Sequence, residues 1–139
     1  MRQEDKTETA LRYFWINGGF DLPTAYENQP FEAPDNAPWA EFWFVPASTQ
    51  AVTASSYGYD EVVGFVQINL NYPLFSGTKD ARETADKIAD LFPTGHRLVY
   101  NGFAVVPTYV HRAQGKEVNG WWRVPVTIGF YSRLQRLGA

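Results

Sequence analysis

His96 and His111 are the side chains of this 139-residue chain best suited to acid–base or metal chemistry. They stand fifteen residues apart, without the i,i+4 spacing of a metalloprotease helix and without a carboxylate motif beside either one. Read structurally, both are surface or rim histidines. A catalytic pair would need tertiary geometry to bring partners to them, because triad members need not be sequence neighbours. The chain has no Cys, which excludes thiol nucleophiles, disulfide frameworks and zinc knuckles. Gly18, Gly19, Gly58, Gly64, Gly77 and Gly95 never fall into a Walker A or dinucleotide loop. Gly77 precedes a helix start that could hold an anion, but Asp80 opposes one there. Glu32, Asp35, Glu41, Asp60 and Glu61 lack calcium-loop spacing. The expectation is therefore a protein that is not an enzyme, with no catalytic, cofactor-binding or metal-binding residues and no cofactor.

The aromatic side chains say more. Five Trp, eight Tyr and ten Phe exceed what one small core requires. Trp121-Trp122 and the Tyr57/Tyr59 pair could stack nucleic-acid bases. Adjacent strand residues face opposite ways, however, so Trp121 and Trp122 cannot form one platform, and a pI near 5.3 disfavours nucleic acid. Packing within the core or between subunits is the preferred explanation. The net charge of −3 hides an asymmetry: residues 1–96 carry −8, and residues 97–139 carry +5 through Arg97, Arg112, Lys116, Arg123, Arg133 and Arg136 against Glu117. Three readings stay open, namely pairing inside the chain, contact with an acidic surface of another subunit or partner, and a basic face for nucleic acid.

The elements that would position these residues follow from periodicity. Residues 4–16 read as a helix, with Ala10, Leu11, Phe14 and Trp15 on one face and Asn17-Gly18-Gly19 as the stop. Residues 20–38 hold four prolines and leave room only for a short strand near Thr24–Gln29. Trp39–Val45 reads as a strand apolar on both faces apart from Glu41, so it must be covered on both sides by its own chain or a neighbour. Ala47–Tyr59 reads as a long hairpin loop. In the following strand Val66, Ile68, Leu70 and Tyr72 alternate with Gln67, Asn69 and Asn71 until Pro73, giving one core face and one polar face. A second helix begins after Thr78 as N-cap and buries Ala81, Ala85, Ile88 and Phe92. Arg97–Tyr100, an Asn101-Gly102 hairpin turn, Phe103 onward to Arg112, a polar turn AQGKEVNG and Trp121–Tyr131 complete the sheet. Pro125 predicts an edge or a bulge, and residues 132–139 read as a tail beyond the sheet. This order predicts a single α+β domain over residues 1–139, with a mainly antiparallel, mixed sheet and two helices packed on one face. No stretch approaches the length of a membrane span, and MRQEDKTETA lacks the apolar run of a signal peptide.

The strand VQINLNYP, the segment LFSGTKDARETADKIADLFPTG and the terminal GWWRVPVTIGFY, in this order, resemble the small tail terminator proteins of long-tailed phages with the lambda-like fold. The matching positions are Tyr72-Pro73, Gly77-Thr78, Ala85 to Phe92, Phe92 to Gly95 and Trp121-Trp122; the N-terminal helix and YENQPFEAP extend the likeness over nearly the whole chain. The resemblance implies a structural virion protein, made in the host cytoplasm. It would form a homohexameric ring on the tail tube protein, end tube growth, and present the tail side of the joint to a head completion or connector protein. DNA would only pass through the lumen, and no membrane is involved. A different neck, tail completion or adaptor role, or an unrelated small ligand-binding or enzymatic domain, are the alternatives. The residues expected to contact other subunits or partners are Trp39, Trp43, Thr49, Tyr57, Tyr59, Trp121, Arg123, Arg133 and Arg136.

Overall fold

The two helical patterns and the extended runs form the elements their spacing predicts. A computed structural model describes residues 3–51 and 59–135. Helix α1 (Gln3–Ile16) leads through β1 (Thr24–Tyr26) to β2 (Trp39–Ala51) and β3 (Tyr59–Pro73); helix α2 (Lys79–Leu91) is followed by β4 (Leu98–Tyr100), β5 (Phe103–Arg112), β6 (Lys116–Val118) and β7 (Trp121–Gln135). The strands lie in the order β1-β2-β3-β7-β5-β4, with β6 hydrogen-bonded to β7. Only the β1–β2 pair is parallel, so the sheet is mixed and mainly antiparallel.

Both helices cover the same face. Val66, Ile68 and Leu70 of β3 stand opposite Ile128, Val126 and Val124 of β7, in that order. Val62 stands opposite Ser132 on that face, and the Ser132 hydroxyl meets Thr7 of α1 at 2.8 Å. Tyr72, on the same face, meets Thr84 of α2 at 2.7 Å through its hydroxyl. The core between sheet and helices takes Leu11 and Trp15 from α1 and Ala81, Ala85 and Ile88 from α2. Each large aliphatic side chain fully buried there contributes about 1.5–3 kcal/mol. Rings pair inside the chain: Tyr13 stacks on Tyr100 at 4.0 Å, Trp15 on Phe20 at 4.5 Å and Phe44 on Phe130 at 5.6 Å. Much of the aromatic excess is thus absorbed by the protein's own packing.

Several local expectations are corrected. Residues 47–51 and Tyr59, expected in a long hairpin loop, belong to the β2–β3 arms, with Thr49 opposite Val62 and Ala51 opposite Asp60; the rest of that expected loop, residues 52–58, lies outside the described residues. Backbone pairing between the two strands carries the arms past the end of their apolar alternation in sequence. The polar turn AQGKEVNG contains β6, which folds back on β7 through Asn119 and Gly120, both at positive φ (51° and 85°). That two-residue turn is the same signal as Asn101-Gly102 (54° and 78°). Residues 132–135 continue β7 rather than forming a tail, because β3 supplies partners as far as Tyr59. Pro125 lies neither at an edge nor at a bulge: it sits opposite Asn69 in an inner strand. Its carbonyl accepts from the Ala113 N–H at 2.9 Å just beyond β5, so the missing N–H falls where that ladder has ended. Thr78 precedes α2 but makes no side-chain capping bond.

Gly64 marks a close backbone approach. It faces Pro46 at a register shift in β2, and an added Cβ would meet the Val45 carbonyl oxygen and come within 2.8 Å of Pro46 Cα. Backbone cannot swing away as a side chain would, so Gly64→Ala should cost about 2–3 kcal/mol and lower the melting temperature by roughly 5–10 °C. An unchanged melt in circular dichroism would show that the bulge relaxes freely.

Three ionisable groups are shifted by packing. Burial raises Tyr72, partly offset by its bond to Thr84, and raises Tyr26, over whose ring the Arg12 guanidinium lies at 4.1 Å. Burial also raises Glu8 above its ordinary value of 4.5, although Arg12 lies 3.4 Å away and opposes the shift. A raised folded-state pKa means that the stability Glu8 contributes is fully present below the unfolded pKa and is lost as pH rises through the folded one. Glu8→Gln should therefore raise the melting temperature slightly at pH 7 and leave it unchanged near pH 4; the reverse order in a pH series of melts would contradict this.

Candidate functional site

The face of the sheet away from the helices is built by the odd-numbered residues of β2, β3 and β7. Their register sets them in rows across the strands: Val45, Phe65, Gly129 and Tyr109; then Trp43, Gln67, Thr127 and His111; then Glu41, Asn69 and Pro125; then Trp39, Asn71 and Arg123. The first two rows are open, and beside the exposed His111 their exposed large side chains are apolar. Trp43 is 41% exposed, Val45 37% and Tyr109 47%. Val99 of β4, opposite Ala104 and 54% exposed, lies two rows further on, beside the Arg133–Glu61 pair. Gly129 lacks a side chain where the Tyr109 ring lies over it. An added Cβ there would meet a ring that can turn, unlike the backbone facing Gly64.

The lower rows are polar yet closed. Arg123 places Nη2 2.7 Å from Glu41 Oε1, and its Nε donates to Asn71 Oδ1 at 2.9 Å. Asn69 donates to the same Glu41 oxygen at 3.3 Å and accepts from Gln67 Nε2 at 2.9 Å. Asn71 in turn donates to the Asn69 carbonyl at 3.3 Å and is fully buried. The polar side of β3 is thus an interlocked network rather than a solvated face. It satisfies groups that would otherwise cost about 1–3 kcal/mol each when buried. Trp39 roofs this end, packed by Phe31 at 5.2 Å and edge-on by Trp121 at 5.7 Å. Its Nε1 is buried with no hydrogen-bond partner among the described residues.

Of the expected contact residues, Trp43 lies open on this face, whereas Trp39 retains only 9% exposure. Trp121 stands on the same face beside Trp39, and Trp122 faces the α2 side next to Ala81 and Thr78. Thr49 and Tyr59 lie in the paired arms of β2 and β3. Tyr57 and Arg136 lie outside the described residues. Arg133 pairs with Glu61 at 2.8 Å and lies 5.2 Å from the Tyr131 ring. The Arg123–Glu41 and Arg133–Glu61 pairs show that part of the charge asymmetry is neutralised inside the chain, because β3 brings β2 and β7 to either side of itself. Sequence reasoning missed that Val45 and Tyr109 share one row, since they come from separate strands. It also missed the Glu41 and Asn71 partnership with Arg123.

His111 is exposed on the open rows and His96 is exposed in the turn after α2. Among the described residues no group of three or more His, Asp or Glu could hold a metal, and no helix is long and apolar enough to cross a membrane. The arrangement suits an extended, mainly apolar contact.

The family model described as phage tail terminator protein matches residues 8–130, which span α1 through most of β7. The chain belongs to the phage tail terminator family. No curated protein matches it. Nine solved chains match its structure. One of them has a TM-score of 0.68 and 23% identity over 91% of this chain and 95% of its own length, a likeness that speaks for the fold alone. Membership in a structural family of phage tails gives the protein a role in tail assembly, as a virion component that meets other virion components.

Proposed function

We propose that six copies of the chain form a ring on the end of the tail tube, stop its polymerisation, and offer the tail side of the joint to a head completion or connector protein. The observation that carries this reading is a tail terminator chain with apolar side chains, Trp43, Val45 and Tyr109, left open on the helix-free face of its sheet. Exposed apolar side chains grouped on one face mark a surface that association covers. A ring subunit needs two different surfaces, one for each neighbour, and closes by rotation. DNA passes through the lumen without being read, which agrees with the acidic balance of the chain. The segment between the arms of β2 and β3, residues 52–58, is the part we assign to contact with the tube or connector.

Native mass spectrometry of the purified protein, alone and with tail tubes, tests the reading. Hexamers, or hexamers formed once tubes are added, are expected together with tubes that no longer elongate. A protein that stays monomeric under both conditions and leaves elongation unchanged would overturn it.

A further inference from the structure

Both edges of the sheet are interrupted against strand addition. β1 covers β2 only opposite Ala40–Phe42, and β4 covers β5 only opposite Phe103–Val105. Beyond these short covers, the Phe44 N–H of β2 donates to the Glu27 carboxylate at 3.0 Å. The next residue pointing the same way is Pro46, which has no N–H and adjoins a register shift. β5 repeats the device: Pro107 lacks an N–H, its carbonyl accepts from Gly95 at 2.8 Å, and a register shift follows before Tyr109. A proline and a bulge at the uncovered start of each edge interrupt the ladder that a neighbouring strand would need. Such interruptions favour lateral contacts between copies made by side chains.

Two exposed charge pairs, one on each lateral side, are opposite in sign. On the β5 side, Arg82 of α2 and Arg112 line a groove of about 260 Å³, with Thr78, Gln114, Gly115 and Trp122. Neither arginine has an ion-pair partner among the described residues, and the acids near them in sequence, Asp80, Glu83, Asp86 and Glu117, do not line the groove. On the β2 side, the segment before Trp39 exposes Glu32 and Asp35, also without ion pairs among the described residues. Phe31 against Trp39 holds this segment in place. The two sites lie at one level of the sheet: Trp122 and Val124 of the groove flank Arg123, which shares a row with Asn71 and Trp39.

We propose that the Arg82–Arg112 groove of one copy receives the Glu32–Asp35 segment of the next. This inference rests on the ring reading above and names its lateral contact. Donor and acceptor are different surfaces, so the contact repeats head to tail until rotation closes it. As an exposed charge contact, it weakens with salt.

Charge reversal in the full-length protein tests it, read by native mass spectrometry and light scattering with circular dichroism as the folding control. Arg82→Glu with Arg112→Glu, and separately Glu32→Arg with Asp35→Arg, should each weaken association at least about tenfold. Combining all four substitutions in one chain should restore it. An equimolar mixture of the two double variants should also assemble, since every contact in an alternating ring is then complementary. Double variants that associate like the unaltered protein would overturn the groove while leaving the ring intact, as would weakened variants that neither combination nor mixing rescues. An unaltered protein that is monomeric with and without tubes would instead overturn the ring reading, and this contact with it.

Discussion

Arg123→Ala should lower the unfolding free energy by about 2–3 kcal/mol and the melting temperature by roughly 5–10 °C. The guanidinium is the only cation within reach of Glu41 among the described ion pairs, and it fills the Asn71 acceptor from the same side chain. Its removal leaves a carboxylate and a buried amide without their partner. A wholly buried pair broken in this way costs about 3–5 kcal/mol; here Arg123 and Glu41 keep 20% and 18% of their side-chain surface, so water recovers part of the loss. Arg123→Lys should recover only part of the stability, because a single ammonium cannot replace both the contact to Glu41 and the Nε bond to Asn71. The double change Glu41→Gln with Arg123→Met should cost less than Arg123→Ala alone, since no unpaired charge remains. Thermal and denaturant melts measure all three. A double variant less stable than Arg123→Ala would show that the network is not held together by that charge.

Trp43→Asp combined with Val45→Asp should leave the fold within about 1 kcal/mol of the unaltered protein, because both side chains are open to water in the isolated chain. Association should fall far more, since a tryptophan at the centre of a contact carries about 2–4 kcal/mol, a factor of roughly 30 to 1,000 in affinity. Sedimentation velocity with and without tail tubes reads the effect. Normal assembly of this variant would place the contact away from the helix-free face. Phe42→Asp, one residue along the same strand, is the contrast: Phe42 is 2% exposed beneath the helices, so this substitution should unfold the protein.

These two predictions differ in how far they were legible beforehand. That Trp43 and Phe42 face opposite ways follows from the period of a strand, which is local and independent of partners. Which face would receive the helices was also readable, because α2 buries Ala81, Ala85 and Ile88 at helical spacing and β3 alternates apolar with polar. The polar side of β3 was readable as polar but not as buried, which Asn69 and Asn71 are. Their partners, Glu41 and Arg123, are 28 and 52 residues away from them and arrive only with neighbouring strands. β6 was missed although Asn119-Gly120 advertises its turn, because a three-residue strand has too little alternation to stand out.

By itself, the sequence determined the helices, the apolar and polar sides of the long strands, the family and the lack of a chemical motif, all of which rest on local spacing or on order along the chain. The strand order β1-β2-β3-β7-β5-β4 was decided only by tertiary structure. With it came the pairing of Arg123 and Arg133 to acids of β2 and β3, the closing of Trp39 beneath Phe31, and the placing of Trp43, Val45 and Tyr109 on one open face. The physical reason is that a side chain's direction is set within two residues of backbone, whereas its neighbours are set by which distant strand completes its hydrogen-bond ladder.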